Sequence, residues 1–397
     1  MNKNFELNLK YALVNAFYFM LVCGSGSYGY NFLKYSNFDT SVIGITLTLV
    51  SVAALLLQTF TAPVIDRSEK WNEKKLILTT LIIAIILYAA MLVIPEGSFA
   101  LLAVCVIGFA LTVAGMPFIN SLAFAYEQEG KKINYGIGRG IGSAAYAVGG
   151  AVIGGLVAWQ GGADEMIVRI FPYYMIVTGT LTVICLLTMK DPKKVSADHA
   201  EGSQISYREF FRKYKKITVV IAAMIMLFFC HMMINTYMID VIKEIGGNTA
   251  DQGNAIFIQA MAELPTMFLF ALILKKFKVN TLMIFASVCY VLKHALICFA
   301  PSMPVYYAAM ILQMFSYAIL IPASVYFAEE HVAPQDRNQG QTVINATTTI
   351  GGLLASLFGG ILLSVMSVHG VLLIGLAATV IGAVLMFFGI RILNKAK

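Results

Sequence analysis

The chain has 397 residues, of which 59% are apolar and only 12% charged, about half the charged share usual in soluble proteins. With a mean hydropathy of +0.79, that composition excludes a disordered chain, a secreted disulfide scaffold and a nucleic-acid binder, and it assigns an integral membrane protein. The net charge of +7 is then a question of topology rather than of an acidic partner.

A spanning helix needs about 20 mostly apolar residues, and twelve such runs follow in chain order. They lie near Tyr11–Leu33, Ser41–Ile65, Leu76–Val93, Ser98–Ala125, Tyr135–Trp159 and Ile170–Met189, then Ile217–Ile239, Ala255–Leu274, Asn280–Phe299, Val305–Ala328, Gly340–Met366 and Val371–Ile390. The first has no small-residue cleavage site after it and reads as an uncleaved helix, not a signal peptide. Their uniform apolarity excludes the alternating strands of a barrel. Cys23, Cys105, Cys185, Cys230, Cys289 and Cys298 all fall inside these runs and read as small packing residues, not bridges or metal ligands.

Of the 28 Lys and Arg, 23 lie at the two termini, in the central loop and in the loops on that same side; the opposite loops hold only Lys34, Arg169 and Lys243. That bias places both termini and the central loop in the cytoplasm. The predicted organisation is a six-helix bundle over 1–189, a cytoplasmic loop over 190–216 and a second six-helix bundle over 217–397. The loop's run Arg208, Arg212, Lys213, Lys215, Lys216 has two readings, an anionic-lipid contact or simply the topology signal.

The halves echo one another. Phe124-Ala125-Tyr126-Glu127 precedes Arg139 and the pairs Gly149-Gly150 and Gly154-Gly155; Phe327-Ala328-Glu329-Glu330 precedes Arg337 and the pairs Gly351-Gly352 and Gly359-Gly360. An all-α membrane fold of twelve transmembrane helices in two six-helix pseudo-repeats is the major facilitator plan, with the substrate site between the halves.

Polar groups inside the spans carry the functional reading, because a charge at mid-membrane costs about 2.5–3.5 kcal/mol on insertion scales. In the first span, Gly24-Ser25-Gly26-Ser27-Tyr28-Gly29-Tyr30-Asn31 reads as a bend, a cavity wall or small-residue packing. Asn120 is a cavity candidate in the fourth. Arg139 enters the fifth by four residues, about 6 Å of helical rise, near enough to snorkel to the interface. Against that, Ser143 and Tyr146 follow on the same face, and a guanidinium fork, a hydroxyl and an aromatic ring in one stripe suit a polyhydroxylated ligand.

His231 and Asn235, one turn apart in the seventh span, either reach a cavity or bond backbone carbonyls. In the eighth, Gln259, Glu263 and Thr266 form a polar stripe, and Pro265 frees the carbonyl of Met261. Glu263 is the one acid of 21 near a span's middle. It and Lys293 of the ninth span read either as a proton-coupling couple or as a fixed ion pair. His294 points away from Lys293 and reads as packing, while Gln313, Ser316 and Tyr317 of the tenth are cavity candidates. No catalytic constellation, metal cluster, cofactor loop or enzyme motif appears in the sequence.

On Phe17-Tyr18-Phe19, Asp66-Arg67 with Lys74-Lys75, and Tyr135 to Tyr146, the chain resembles the branch of the major facilitator superfamily that holds lactose permease and the related oligosaccharide and nucleoside proton symporters. The loop after the second span is similar to the superfamily's loop motif, with Ala62 where Gly is usual. The resemblance implies that Arg139 holds sugar, that Tyr146 stands for a stacking tryptophan and Ser143 for a small residue beside it. It implies a recognition and coupling role for Glu263, with Lys293 in place of an arginine. Asn120 replaces a sugar-binding glutamate; Gln313 and Ser316 replace a histidine and the proton-carrying glutamate; Met310 replaces a lysine, and His231 and Ile234 replace two aspartates. Those departures leave Glu263 as the membrane-centre acid.

The sequence therefore predicts a secondary active transporter of a bacterial cytoplasmic membrane, functional as a monomer in the bilayer, importing a sugar, oligosaccharide or related polyhydroxylated solute with protons. Substrate contacts are expected from Asn120, Arg139, Ser143, Tyr146, His231, Asn235, Gln259, Glu263 and Gln313, and coupling from Glu263 and Lys293. The alternatives are a nucleoside symporter, a drug–proton antiporter and an uncoupled sugar uniporter.

Overall fold

Lipid offers no partner to a backbone N–H or C=O, so each long apolar run closes its hydrogen bonds within itself. In the computed structural model, which describes the fold over residues 3–67, 71–192 and 206–394, every regular element among the described residues is helical. The first span joins α1 (Lys3–Cys23), a π-helical turn (Gly24–Tyr28) and α2 (Gly29–Tyr35). There follow α3 (Thr40–Arg67), α4 (Glu73–Ala90), the fourth span as α5 (Phe99–Ala114) and α6 (Met116–Gln128), then α7 (Tyr135–Trp159) and α8 (Ile167–Leu187). A short α9 (Tyr207–Lys213) precedes the seventh span, α10 (Lys215–Thr236) with α11 (Met238–Glu244). The rest are α12 (Thr249–Lys276), α13 (Val279–Cys298), the tenth span as α14 (Met303–Ile311) and α15 (Tyr317–His331), α16 (Arg337–Val365) and α17 (Val368–Asn394). The side chains of 62–67 lie outside the described residues, and the Ala62 and Asp66-Arg67 parts of the loop motif lie there with them.

All twelve predicted spans are helical, and eleven are long and apolar enough to cross a membrane. The twelfth, α4, has 18 residues and opens on Glu73, Lys74 and Lys75. Three spans expected to be continuous are broken. Pro117 begins a new helix after Gly115, where its missing N–H costs nothing. The seventh breaks at Tyr237, and the tenth carries a 3₁₀ turn over Leu312–Met314. The eighth begins at Thr249, six residues before the apolar run: Asp164 Oδ1 accepts from Thr249 N (2.8 Å) and Oγ1 (2.5 Å) and caps a polar first turn. Hydropathy does not register such a turn.

The chain divides into two compact units, Met1–Asp198 with Asn248–Phe257, and His199–Gly247 with Ile258–Lys397. The first turns of α12 group with the first unit. In that unit α1 packs on α7 and α8, and α4 on α5 and α8. A Cβ at Gly138 would overlap the Tyr11 ring, and one at Gly142 would come within 2.7 Å of Phe19, so these glycines let α1 and α7 approach closely. Buried tyrosines tie helices together through backbone carbonyls: Tyr88 donates to Gly108 O (2.8 Å), Tyr28 to Gly150 O (2.8 Å), Tyr174 to Met20 O (2.9 Å) and Tyr18 to Thr112 O. In the second unit α10 packs on α16 and α17, and α13 on α15 and α17. Its core is built on Phe228, Met283, Tyr290, Phe327 and Met386. Packing of this kind, not water exclusion, holds helices together in lipid.

Each unit also carries a clasp at one end of its spans. Lys74 Nζ donates to Met189 O (2.5 Å) and Asp191 (2.8 Å). In the second unit, buried Asp336 accepts from Lys213 Nζ (2.6 Å) and Tyr214 Oη (2.7 Å), while Tyr214 Oη also receives Ala333 N–H. The hydrogen bonds of Lys213 and then of Tyr214 hold the Asp336 carboxyl below the usual carboxylate range. Because the folded value is depressed, its stabilisation is complete above about pH 4 and is lost as the pH falls through the lower folded value. Asp336→Asn is expected to speed amide hydrogen exchange in α9 and the 333–336 turn at neutral pH and to abolish the acid-induced loosening there. Unchanged exchange in the variant would refute the clasp.

Candidate functional site

The sequence-predicted residues are divided between the two units, and the hydrogen bonds gather part of them into an Arg139–Ser143 and Tyr146–Ser27 set in the first and a Lys293–Gln313–Glu263 series and a His231–Asn235 pair in the second. On α7, Arg139 Nη1 donates to Ser143 Oγ (2.8 Å), and its guanidinium lies over the Phe19 ring, 4.3 Å from the centroid. A contact of this type is worth about 0.5–2 kcal/mol, which offsets part of the cost of a charge inside a span. Tyr146, three residues beyond Ser143, shares a 2.7 Å hydroxyl–hydroxyl hydrogen bond with Ser27 of the π-helical turn. The expected stripe of fork, hydroxyl and ring is therefore present. Asn120 is half-buried on α6, and its buried Oδ1 accepts no hydrogen bond among the described residues.

The π turn is what brings Ser27 to Tyr146. Gly24 stands where any Cβ would strike Met175 and Tyr174, and Gly29 where one would come within 3.0 Å of Phe109. The widened turn accommodates that packing, a recurrent device at functional sites. Ser27 and Phe19 do not stand out as ligand residues in the sequence. Their signals are the Gly-Ser run and the aromatic triplet Phe17-Tyr18-Phe19, both of which packing alone also explains.

In the second unit, Lys293 (1% exposed) donates to Gln313 Oε1, and Gln313 Nε2 donates to Glu263 Oε1 at 2.7 Å. An ammonium only donates, so the Gln313 carbonyl must face Lys293 and its amide N–H₂ must face the carboxylate. Glu263 and Lys293 are thus linked in series through an amide. Each ion alone would cost about 2.5–3.5 kcal/mol inside a span; the chain supplies a charge-assisted hydrogen bond to both. Gln313 is buried and Glu263 half-buried. Gln259, one turn before Glu263, keeps a buried Oε1 with no donor among the described residues.

His231 and Asn235 bond to each other (3.0 Å), and His231 is enclosed by the rings of Tyr317 (5.2 Å), Tyr290 (5.6 Å) and His294 (6.3 Å). Since an amide N–H₂ donates, His231 Nε2 accepts and its proton sits on Nδ1. Thr379 Oγ1 donates to Gly375 O (2.9 Å), so it accepts from His294 Nδ1 (2.8 Å). The packing role expected for His294 agrees with that bond. Ser316 is buried and turned onto Leu312 O (2.9 Å). The six cysteines are free thiols, and the described residues hold no cluster of metal-ligating side chains.

Residues 8–373 match the MFS_1 like family. The chain belongs to this family. It is 24% identical over 387 residues, 94% of its length and 91% of the relative's, to the uncharacterized transporter YwbF of Bacillus subtilis (strain 168). Its fold is that of the nucleoside transporter NupG, with a TM-score of 0.78 at 17% identity over 98% of this chain and 99% of that one. A bacterial homologue of the iron transporter ferroportin in an inward-facing state gives a TM-score of 0.72 at 13% identity over 98% of each. At those identities the likeness is one of fold. The protein is a multi-pass membrane transporter of the major facilitator architecture, acting on a small molecule across a lipid bilayer.

Proposed function

We propose that the protein imports a sugar, oligosaccharide or related polyhydroxylated solute together with protons, by alternating access, across a bacterial cytoplasmic membrane. The observation that carries this reading is the series Lys293–Gln313–Glu263. Ionised Glu263 accepts from Gln313; when a proton binds, the carboxyl is neutral and the hold of Gln313 weakens. Lys293 then keeps the amide while Glu263 is released to the solute or to water. In the protonated state the Lys293 charge is held by the Gln313 carbonyl alone, and loss of the proton restores the neutral couple.

Arg139, Ser143, Tyr146 and Asn120 serve the solute from the first unit. Gln259, His231, Asn235 and Gln313 serve it from the second. The fork bonds vicinal hydroxyls and the Tyr146 ring stacks on a sugar face. The protein works as a monomer with both termini in the cytoplasm. A second reading, a nucleoside symporter, is supported by the likeness to NupG; a ribose offers the same vicinal hydroxyls and a base offers the same stacking face.

The test is external pH in a lightly buffered, de-energised suspension of cells making the protein, with mono- and oligosaccharides, sugar acids and nucleosides added singly. Alkalinisation on adding one compound, absent from control cells, is expected and identifies the solute. Labelled entry with no pH change and no effect of an uncoupler would overturn proton symport. Glu263 and Lys293 would then be a structural couple in a uniporter.

A further inference from the structure

We propose that the solute carries a carboxylate beside its hydroxyls, as a sugar acid does, and that Arg139 is the group that holds it. The inference rests on the reading of the protein as a carrier of polyhydroxylated solutes, and it names the class.

The first support is direction. Cα–Cβ bonds on a helix tilt toward its N-terminus, and an arginine snorkelling from the fifth residue of α7 would run back that way to the interface. Arg139 does the reverse. Its Nη1 bonds Ser143, one turn further into the span, and its guanidinium lies over Phe19, which is 3% exposed in the interior of the unit. The charge is carried toward the middle of the membrane and held there.

The second support is balance. Glu263 and Lys293 are linked through Gln313 and cancel. Ion pairs among the described residues engage Lys10, Lys74, Lys75, Lys131 and Lys213 among others, and Arg139 is in none of these. Its contacts among the described residues are one hydroxyl and one ring face, a fixed cation inside a span with no carboxylate of the first unit paired to it. A guanidinium has five N–H donors in a planar fork, of which Ser143 takes one. A carboxylate meets the remainder with two parallel bonds and cancels the charge. Sugar hydroxyls alone would fill the bonds and leave the charge unmatched. A phosphate monoester, at about −1.5 to −2, overshoots a single cation. Beyond the fork, Ser143 and Tyr146 of α7 and Ser27 of the π-helical turn, which bonds Tyr146, supply hydroxyls suited to the polyol part.

The experiment uses the full chain in proteoliposomes with an inside-alkaline gradient, and labelled glucuronate, galacturonate, glucose, galactose and uridine. The acids are expected to enter, with the neutral compounds at least about tenfold weaker, the range of one charged hydrogen bond. Arg139→Gln should weaken the acids about 10- to 100-fold, and Arg139→Lys should restore part of the loss. Entry of a neutral sugar or of uridine as readily as the acids, or an Arg139→Gln affinity for the acids within about twofold of the parent, overturns the inference and leaves the polyhydroxylated carrier standing. Entry of none of the five overturns both. The comparison of acids with their neutral parents uses the unaltered protein, so it decides the matter even if a variant fails to fold.

Discussion

Glu263→Gln is expected to abolish accumulation of the solute against its gradient while the protein still reaches the membrane. For a neutral solute, one proton moving inward at 100 mV gains about 2.3 kcal/mol, which sustains roughly a 50-fold concentration ratio; for a monoanionic sugar acid the co-transport is electroneutral and the pH difference alone drives it. The introduced amide cannot take up and release that proton, so the ratio should fall to about one, with downhill exchange retained. Its carbonyl oxygen can still accept from the Gln313 side chain, as the Glu263 carboxylate does, so the helix contact persists and the loss isolates coupling from folding. Uptake by energised cells, read against counterflow in de-energised vesicles, separates the two. Full concentrative uptake in the variant would end the coupling role.

Gln313→Leu should be the more disruptive substitution for the protein as a whole. Gln313 is the amide between two ions, accepting from Lys293 and donating to Glu263, and leucine offers neither function. Removing a partner from buried charges costs about 3–5 kcal/mol, a large fraction of a typical folding stability of about 5–15 kcal/mol. A lower unfolding midpoint in detergent and at least about a tenfold loss of concentrative uptake are expected. Gln313→Glu keeps an acceptor for Lys293 but sets a carboxylate against Glu263 where the amide had donated, so it should not restore uptake. Thermal midpoints for Gln313→Leu equal to the parent's would show that the relay contributes nothing to the fold.

The expectations drawn from Arg139 and Glu263 fare differently for a physical reason. Arg139, Ser143 and Tyr146 stand on one helix, where spacing alone predicts a shared face, and the Arg139–Ser143 bond follows directly from i, i+4 geometry. Glu263, Lys293 and Gln313 stand on three elements, and spacing says nothing about how those elements rotate toward one another. The sequence leaves open whether Glu263 and Lys293 pair, and only the ion-pair reading needs a direct contact; the amide between them is a property of packing. Ser27 is hidden for a related cause. The π turn that presents it depends on the rings and sulfur packed against Gly24 and Gly29, which lie far away in sequence.

Sequence by itself determined the membrane class, the number of spans, their approximate ends and the identity of the polar residues within them. All of these follow from the cost of exposing backbone and charge to lipid, a cost that each residue incurs locally. The tertiary structure alone decided where spans break, that α12 starts on a polar turn capped by Asp164, and that Arg139 reaches inward instead of back to the interface. It also decided that Gln313 stands between Lys293 and Glu263. Each of these depends on which side chain from another helix fills the adjoining space, and only the packed arrangement specifies that.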